Sequence, residues 1–116
     1  MTTPTLEGID TSFRAALGRL DSKRRLRKVS KTVSTEYEIA GIMKAHDGDE
    51  ALLFEDVAGY EWPVVGNLFA SPMNCEVCFD TDVKGLRQII GGAIDRQIPP
   101  EEVDSEVPAQ QVVHLR

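Results

Sequence analysis

A chain of 116 residues, 41% apolar and 28% charged, has the size and composition of one soluble globular domain. Its formal charge of −6 argues against nucleic acid as a partner, because phosphate binding relies on a positive surface. No apolar run approaches the roughly 20 residues that cross a bilayer, and the polar start around Pro4 lacks the basic and apolar regions of a secretory signal. The expectation is therefore a cytoplasmic protein with reduced thiols and no membrane association. Residues 1–116 read as a single domain, flexible at 1–8 and with an acidic, proline-containing loop at 97–107.

Ile9, Phe13, Ala16, Leu17 and Leu20 line one face of a first helix, which Asp10 or Thr11 can cap. A short strand is expected at Leu26 to Ser30. Thr35 with Glu38 has the form of a capping box, opening a second helix that runs to about His46 with Ile39, Ile42 and Met43 inside. Asp47-Gly48-Asp49 stops it and leads into Ala51 to Phe54, a compact apolar segment suited to a buried strand. Gly59 marks a turn, and Pro63, which cannot donate a ladder hydrogen bond, starts a strand at Val64 to Phe69. Ser71-Pro72 has the order of an N-cap and first helical residue, predicting a short helix through about Phe79. Val83, Leu86, Ile90 and Ala93 keep helical spacing from about Asp82 to Arg96, and Gln110 to Leu115 has the composition of a last strand. The order α, β, α, β, β, α, α, β implies an α/β or α+β fold, a small mixed sheet covered by helices.

The residue types that carry chemistry do not converge. Cys75 and Cys78 form a single CxxC without the further ligands a zinc site needs, and without the preceding strand and aromatic context of a thioredoxin-like pair. They read as small hydrophobes beside Phe79, with a metal or a redox role as the alternatives. His46 and His114 have no neighbouring nucleophile, Glu36 and Glu38 suit a helix start, and Glu55-Asp56 follows a strand into solvent. No glycine cluster forms a phosphate-cradling loop. Seven of the thirteen basic residues lie between Arg19 and Lys31, a stretch that reads either as a solvated connector or as a device steering an anion. No catalytic, cofactor-binding or metal-binding residue is assigned.

The remaining signal is "STEYEIAGIMKAHDGDEALLFEDVAGYEWPVVGNLFASP" at 34–72. With its "EIA" helix, its "ALLFE" strand running into "GY", and "PVVGNLF", it resembles the N-terminal domain of the UbiD family of prenylated-flavin-dependent decarboxylases. The leading helix from Phe13 to Leu20 agrees, and "VPAQQVVH" at 107–114 is similar to the segment that closes that domain. "SPMNCEVCFDTD" at 71–82 departs from it, since relatives continue there with a longer helix.

The resemblance implies a fold and a setting. Family members are several times longer, and their prenylated FMN, Mn2+ and K+ belong to a following flavin-binding domain to which no residue of this chain maps. It therefore implies a non-catalytic small subunit, docking on a large UbiD-type catalytic subunit that holds those cofactors and acts on an aromatic or α,β-unsaturated carboxylic acid. Tyr60, Trp62, Asn67 and Phe69 are the candidate partner interface, Tyr60 and Trp62 as aromatic anchors, while Val64 and Leu68 are assigned to the core. The alternative is a stand-alone binding or regulatory module, a homo-oligomer without decarboxylase chemistry.

Overall fold

The computed structural model describes residues 6–114. In chain order it contains α1 (Phe13–Ser22), β1 (Leu26–Val29), α2 (Glu38–Ala45), β2 (Ala51–Phe54), β3 (Val64–Gly66), α3 (Pro72–Phe79) and α4 (Val83–Asp95), then a single 3-10 turn at Pro108–Gln110. The strands make one mixed sheet in the order β1-β2-β3. β1 runs parallel to β2, with Leu26 opposite Ala51 and Val29 opposite Phe54, and β3 returns antiparallel with Val64 opposite Phe54. A parallel pair needs a crossover, and α2 supplies it.

The alternation of side chains along β2 divides the core between the two faces of the sheet. Leu52 and Phe54, both fully buried, pack with Val33 and Val57 on the face that Ile39, Ile42 and Met43 of α2 cover. Ala51 on the opposite face joins Leu20 of α1 and Cys78 of α3, with Leu17, Leu68 and Phe79 around them. Burying each large side chain of β2 contributes roughly 1.5–3 kcal/mol. The result is a mixed α/β domain with helices on both faces of its sheet.

Several boundaries move from their expected places, each for a local reason. Ser12 caps α1, its hydroxyl accepting from the Ala15 N–H at 3.2 Å, while the Asp10 carboxylate accepts from the Ser12 N–H at 2.9 Å. The box expected between Thr35 and Glu38 forms one residue earlier: the Glu38 carboxylate accepts from the Ser34 N–H at 3.0 Å, and α2 starts at Glu38. β3 ends at Gly66, short of Phe69, because Asn67 turns into the left-handed region at φ 57°. Val64, assigned to the core, stands at the sheet edge and is 37% exposed, whereas Leu68 packs inside as expected. The last strand does not form over the described part of 110–115: Pro108 opens the 3-10 turn instead, and Leu115 lies outside the described residues. Ser71 and Asp82 cap α3 and α4 as their spacing requires. Among the described residues no helix is long and apolar enough to cross a membrane.

Candidate docking surface

The aromatic connection between β2 and β3 begins on buried ground. Val57, 3% exposed, pairs as isolated bridges with both Val33 and Tyr60. The Val33 N–H donates to the Asp56 carbonyl at 3.0 Å, Ala58 N–H returns a bond to Val33 at 2.9 Å, and Tyr60 N–H donates to Val57 at 3.1 Å. Gly59 turns the chain between them at φ 83°, a conformation that a side chain would strain. From this pinned base Tyr60 and Trp62 project outwards, 63% and 77% exposed. The backbone is held while its aromatic side chains are free, so a partner would meet an already ordered surface.

Tyr37, between two acids at the start of α2, is a further exposed aromatic that its sequence context does not single out. It is 89% exposed and sits at φ 63°, a conformation costing of order 1 kcal/mol for a residue with a side chain. Its carbonyl accepts from the Gly41 N–H at 2.8 Å, which holds it at the head of α2. Both tyrosines and the only tryptophan of the chain thus face solvent, Tyr60 on a bridge to the buried Val57 and Trp62 two residues beyond it. Asn67 and Phe69, the other expected interface residues, take different positions. Asn67 is turned inwards, its amide donating to the Met43 carbonyl at 2.8 Å. Phe69 is 58% exposed and stacks on Phe79, with ring centroids 6.0 Å apart.

The basic stretch is used within the domain. The Arg19 guanidinium donates to the carbonyls of Val77 and Cys78, tying α1 to α3. Arg25 donates to Asn74 and Ser71 and stands 3.8 Å from Asp49. Arg27 pairs with Glu50, Lys28 with Asp21 and Lys31 with Glu38. Five of the seven basic side chains therefore have partners within the domain: Arg19 and Arg25 clamp it, while Arg27, Lys28 and Lys31 stay largely in water as a solvated connector whose Leu26 and Val29 pack inwards.

Two further clusters bring together groups capable of chemistry. His46, Asp49 and Glu50 bring one ligand atom each to within 4.8 Å of one another. Glu50 is already committed: hydrogen bonds from the Asp49 side chain, from its own backbone N–H and from Arg27 pull its carboxyl from 4.5 to about 2. A group whose pKa is lowered on folding stabilises the fold above its unfolded value and loses that contribution as pH falls through the folded one. Glu50→Gln should therefore flatten the loss of stability between pH 4.5 and about 2, read from urea midpoints at each pH. Parallel acid limbs for the two proteins would contradict this.

The cysteines are free, Cys78 buried and Cys75 partly so. Burial raises the Cys78 thiol above its ordinary value, and the neighbouring Cys75 adds to the rise, which disfavours the reactive thiolate. Ellman's reagent is expected to reach Cys78 only after unfolding. Rapid modification of both thiols in the native protein would revive the redox reading.

Comparison with known proteins follows the same division between fold and chemistry. The model of the 3-octaprenyl-4-hydroxybenzoate carboxy-lyase N-terminal domain matches residues 17–93. The chain belongs to the UbiD family. It is similar to two solved structures of the UbiD-class enzyme HmfF from Pelotomaculum thermopropionicum. An evolved dimeric form in complex with prFMN is 33% identical, with a TM-score of 0.69 over 78% of this chain and 21% of that one. The form in complex with FMN is 34% identical, with a TM-score of 0.66 over 74% of this chain and 19% of that one. The chain thus spans about a fifth of the length of these UbiD-class structures.

The residues present do not fit the cofactors of the family. Among the described residues most cations of the basic stretch are already paired, and the one cluster with metal-ligand groups has its Glu50 carboxylate occupied by Arg27 and its Asp49 beside Arg25. No chemical step is derived through a flavin or a metal on this chain.

Proposed function

We propose that this UbiD N-terminal domain is a non-catalytic subunit that docks on a large UbiD-type flavin-binding catalytic chain. That chain carries the prenylated FMN with Mn2+ and K+, and the assembly decarboxylates or carboxylates an aromatic or α,β-unsaturated acid. The observation that carries the reading is the pair Tyr60 and Trp62, exposed on a braced connection in a chain that spans a fifth of its UbiD-class relatives. Exposed aromatics on ordered backbone are the residues that concentrate binding energy at protein interfaces. In that UbiD-class structure the matched region is about a fifth of the chain, and a surface like that of the remainder is what these aromatics would meet. Tyr37 adds a further exposed ring, while Asn67 is turned inwards onto the Met43 carbonyl and Phe69 stacks on Phe79.

Reconstitution tests the proposal. Decarboxylation by the large chain is expected to rise on adding this domain and to reach a plateau at a fixed ratio of the two. Activity independent of the domain at every ratio would overturn it and favour a stand-alone binding module.

A further inference from the structure

β1 lies at the edge of the sheet, with β2 on one side and, among the described residues, no strand on the other. The Arg25 carbonyl accepts from the Ala51 N–H at 2.9 Å and the Val29 carbonyl from the Glu55 N–H at 3.0 Å. Backbone groups alternate along a strand in a parallel pair, so those of Arg25, Arg27 and Val29 face β2 while those of Leu26, Lys28 and Ser30 face outwards. Beyond the ladder with β2, no hydrogen bond among the described residues reaches the backbone of these three. Such an edge is a template for a further strand.

The charge around the edge decides what that strand can be. Lys23 and Arg24 are exposed and carry no ion pair among the described residues. Arg27, Lys28 and Lys31 have acidic partners, but their side chains are 54%, 48% and 81% exposed, and surface pairs of this kind exchange at little cost. Pairing with the β1 of another copy would set these cations against their like. The edge therefore selects an acidic strand. One follows α4: residues 98–107 carry Glu101, Glu102, Asp104 and Glu106 and no basic residue. From 102 to 107 the acids alternate with Val103, Ser105 and Val107, the period of a strand, yet the segment forms no helix or strand and Val103 is 58% exposed. It is also remote from its own edge. α4 packs on α3 and α3 on α1, which in turn packs on β1. Pro99 and Pro100 hold the start of the segment extended, and the radius of gyration, 17.8 Å, exceeds the roughly 13 Å of a compact chain of this length.

We infer that β1 pairs with residues 101–107 of a second copy of this chain, which add to its sheet as a further strand in a reciprocal exchange that forms a homodimer. The outward backbone groups of Leu26, Lys28 and Ser30 supply the new ladder, and the acids meet Lys23, Arg24 and Lys28. Two copies related by a two-fold axis satisfy both edges at once. The aromatic connection leads to β3 at the other side of the sheet, so the exchange leaves Tyr60 and Trp62 free and stands independently of the docking proposed above.

Analytical ultracentrifugation of the full chain tests it. A dimer is expected, with a dissociation constant that rises with salt because exposed charge pairs are screened. Lys28→Pro removes an outward N–H and none that β2 uses, so it should raise that constant by roughly tenfold or more while leaving the domain folded. The triple change Glu101→Lys, Glu102→Lys, Asp104→Lys, in a segment outside every helix and strand, should do the same. Adding Arg24→Glu and Lys28→Glu to the triple variant restores opposite charges and should restore the dimer, which a merely misfolded variant would not do. A monomer at every concentration overturns the inference, as does a dimer indifferent to these changes. Binding of the large catalytic chain lost in Lys28→Pro, with the parent chain monomeric, would overturn it too and assign the edge to that chain.

Discussion

Replacing Asn74 with alanine is expected to destabilise the domain by ~2–4 kcal/mol, because a buried polar group deprived of its partner costs far more than a hydrogen bond contributes. Asn74 is fully buried and joins four segments. Its Oδ1 accepts from Arg25 Nε at 3.0 Å, and its amide donates to the carbonyls of Asp49 at 3.0 Å and Asn67 at 3.3 Å. Its own N–H donates to the Ser71 hydroxyl at 3.2 Å, beside a bond to the same hydroxyl from Arg25. Alanine would leave a guanidinium and two carbonyls facing a dry gap. Asn74→Asp keeps the acceptor for Arg25 and loses both donors, so it should fall between. Urea unfolding measures both, and a loss for the alanine variant below ~0.5 kcal/mol, the scale of an ordinary surface change, would remove Asn74 from the centre of the fold.

The second large effect concerns binding and leaves stability alone. Tyr60→Ala should weaken association with the large catalytic chain by more than ~1 kcal/mol, and Tyr60→Ala with Trp62→Ala by ~2–4 kcal/mol, as expected of aromatic anchors at an interface centre. Both rings are mostly in water in the isolated domain, and the backbone beneath them is held by Val33, Val57 and Gly59. The circular dichroism spectrum and urea midpoint should therefore stay unchanged. Calorimetry giving equal affinity for the double variant and the parent would move the interface away from this connection.

The elements that were legible in the sequence are those whose signals are local. The buried β2 shows as an unbroken apolar run, and α3 and α4 announce themselves through Ser71-Pro72 and Asp82, because capping is decided within one helical turn. The start of α2 was misplaced because Ser34 and Thr35 are adjacent and either can face Glu38. The left-handed Tyr37, which no propensity favours, decided between them. The end of β3 depended likewise on Asn67 turning left-handed to reach the Met43 carbonyl, a tertiary contact. The same limit applied to the site. Tyr60 and Trp62 could be named from their residue type, but the inward turn of Asn67, the exposure of Tyr37 and the clamping role of Arg19 and Arg25 follow from segments distant in sequence.

The central claim is that this domain works on another chain that holds the flavin. Affinity purification of the tagged protein from its native host, with mass spectrometry of the co-purifying chains, tests it most directly. The account predicts recovery of a larger chain bearing a UbiD-type flavin-binding domain, with decarboxylation only when both chains are present and with recovery reduced by Tyr60→Ala, Trp62→Ala. Recovery of the protein alone, or only with further copies of itself, would contradict it.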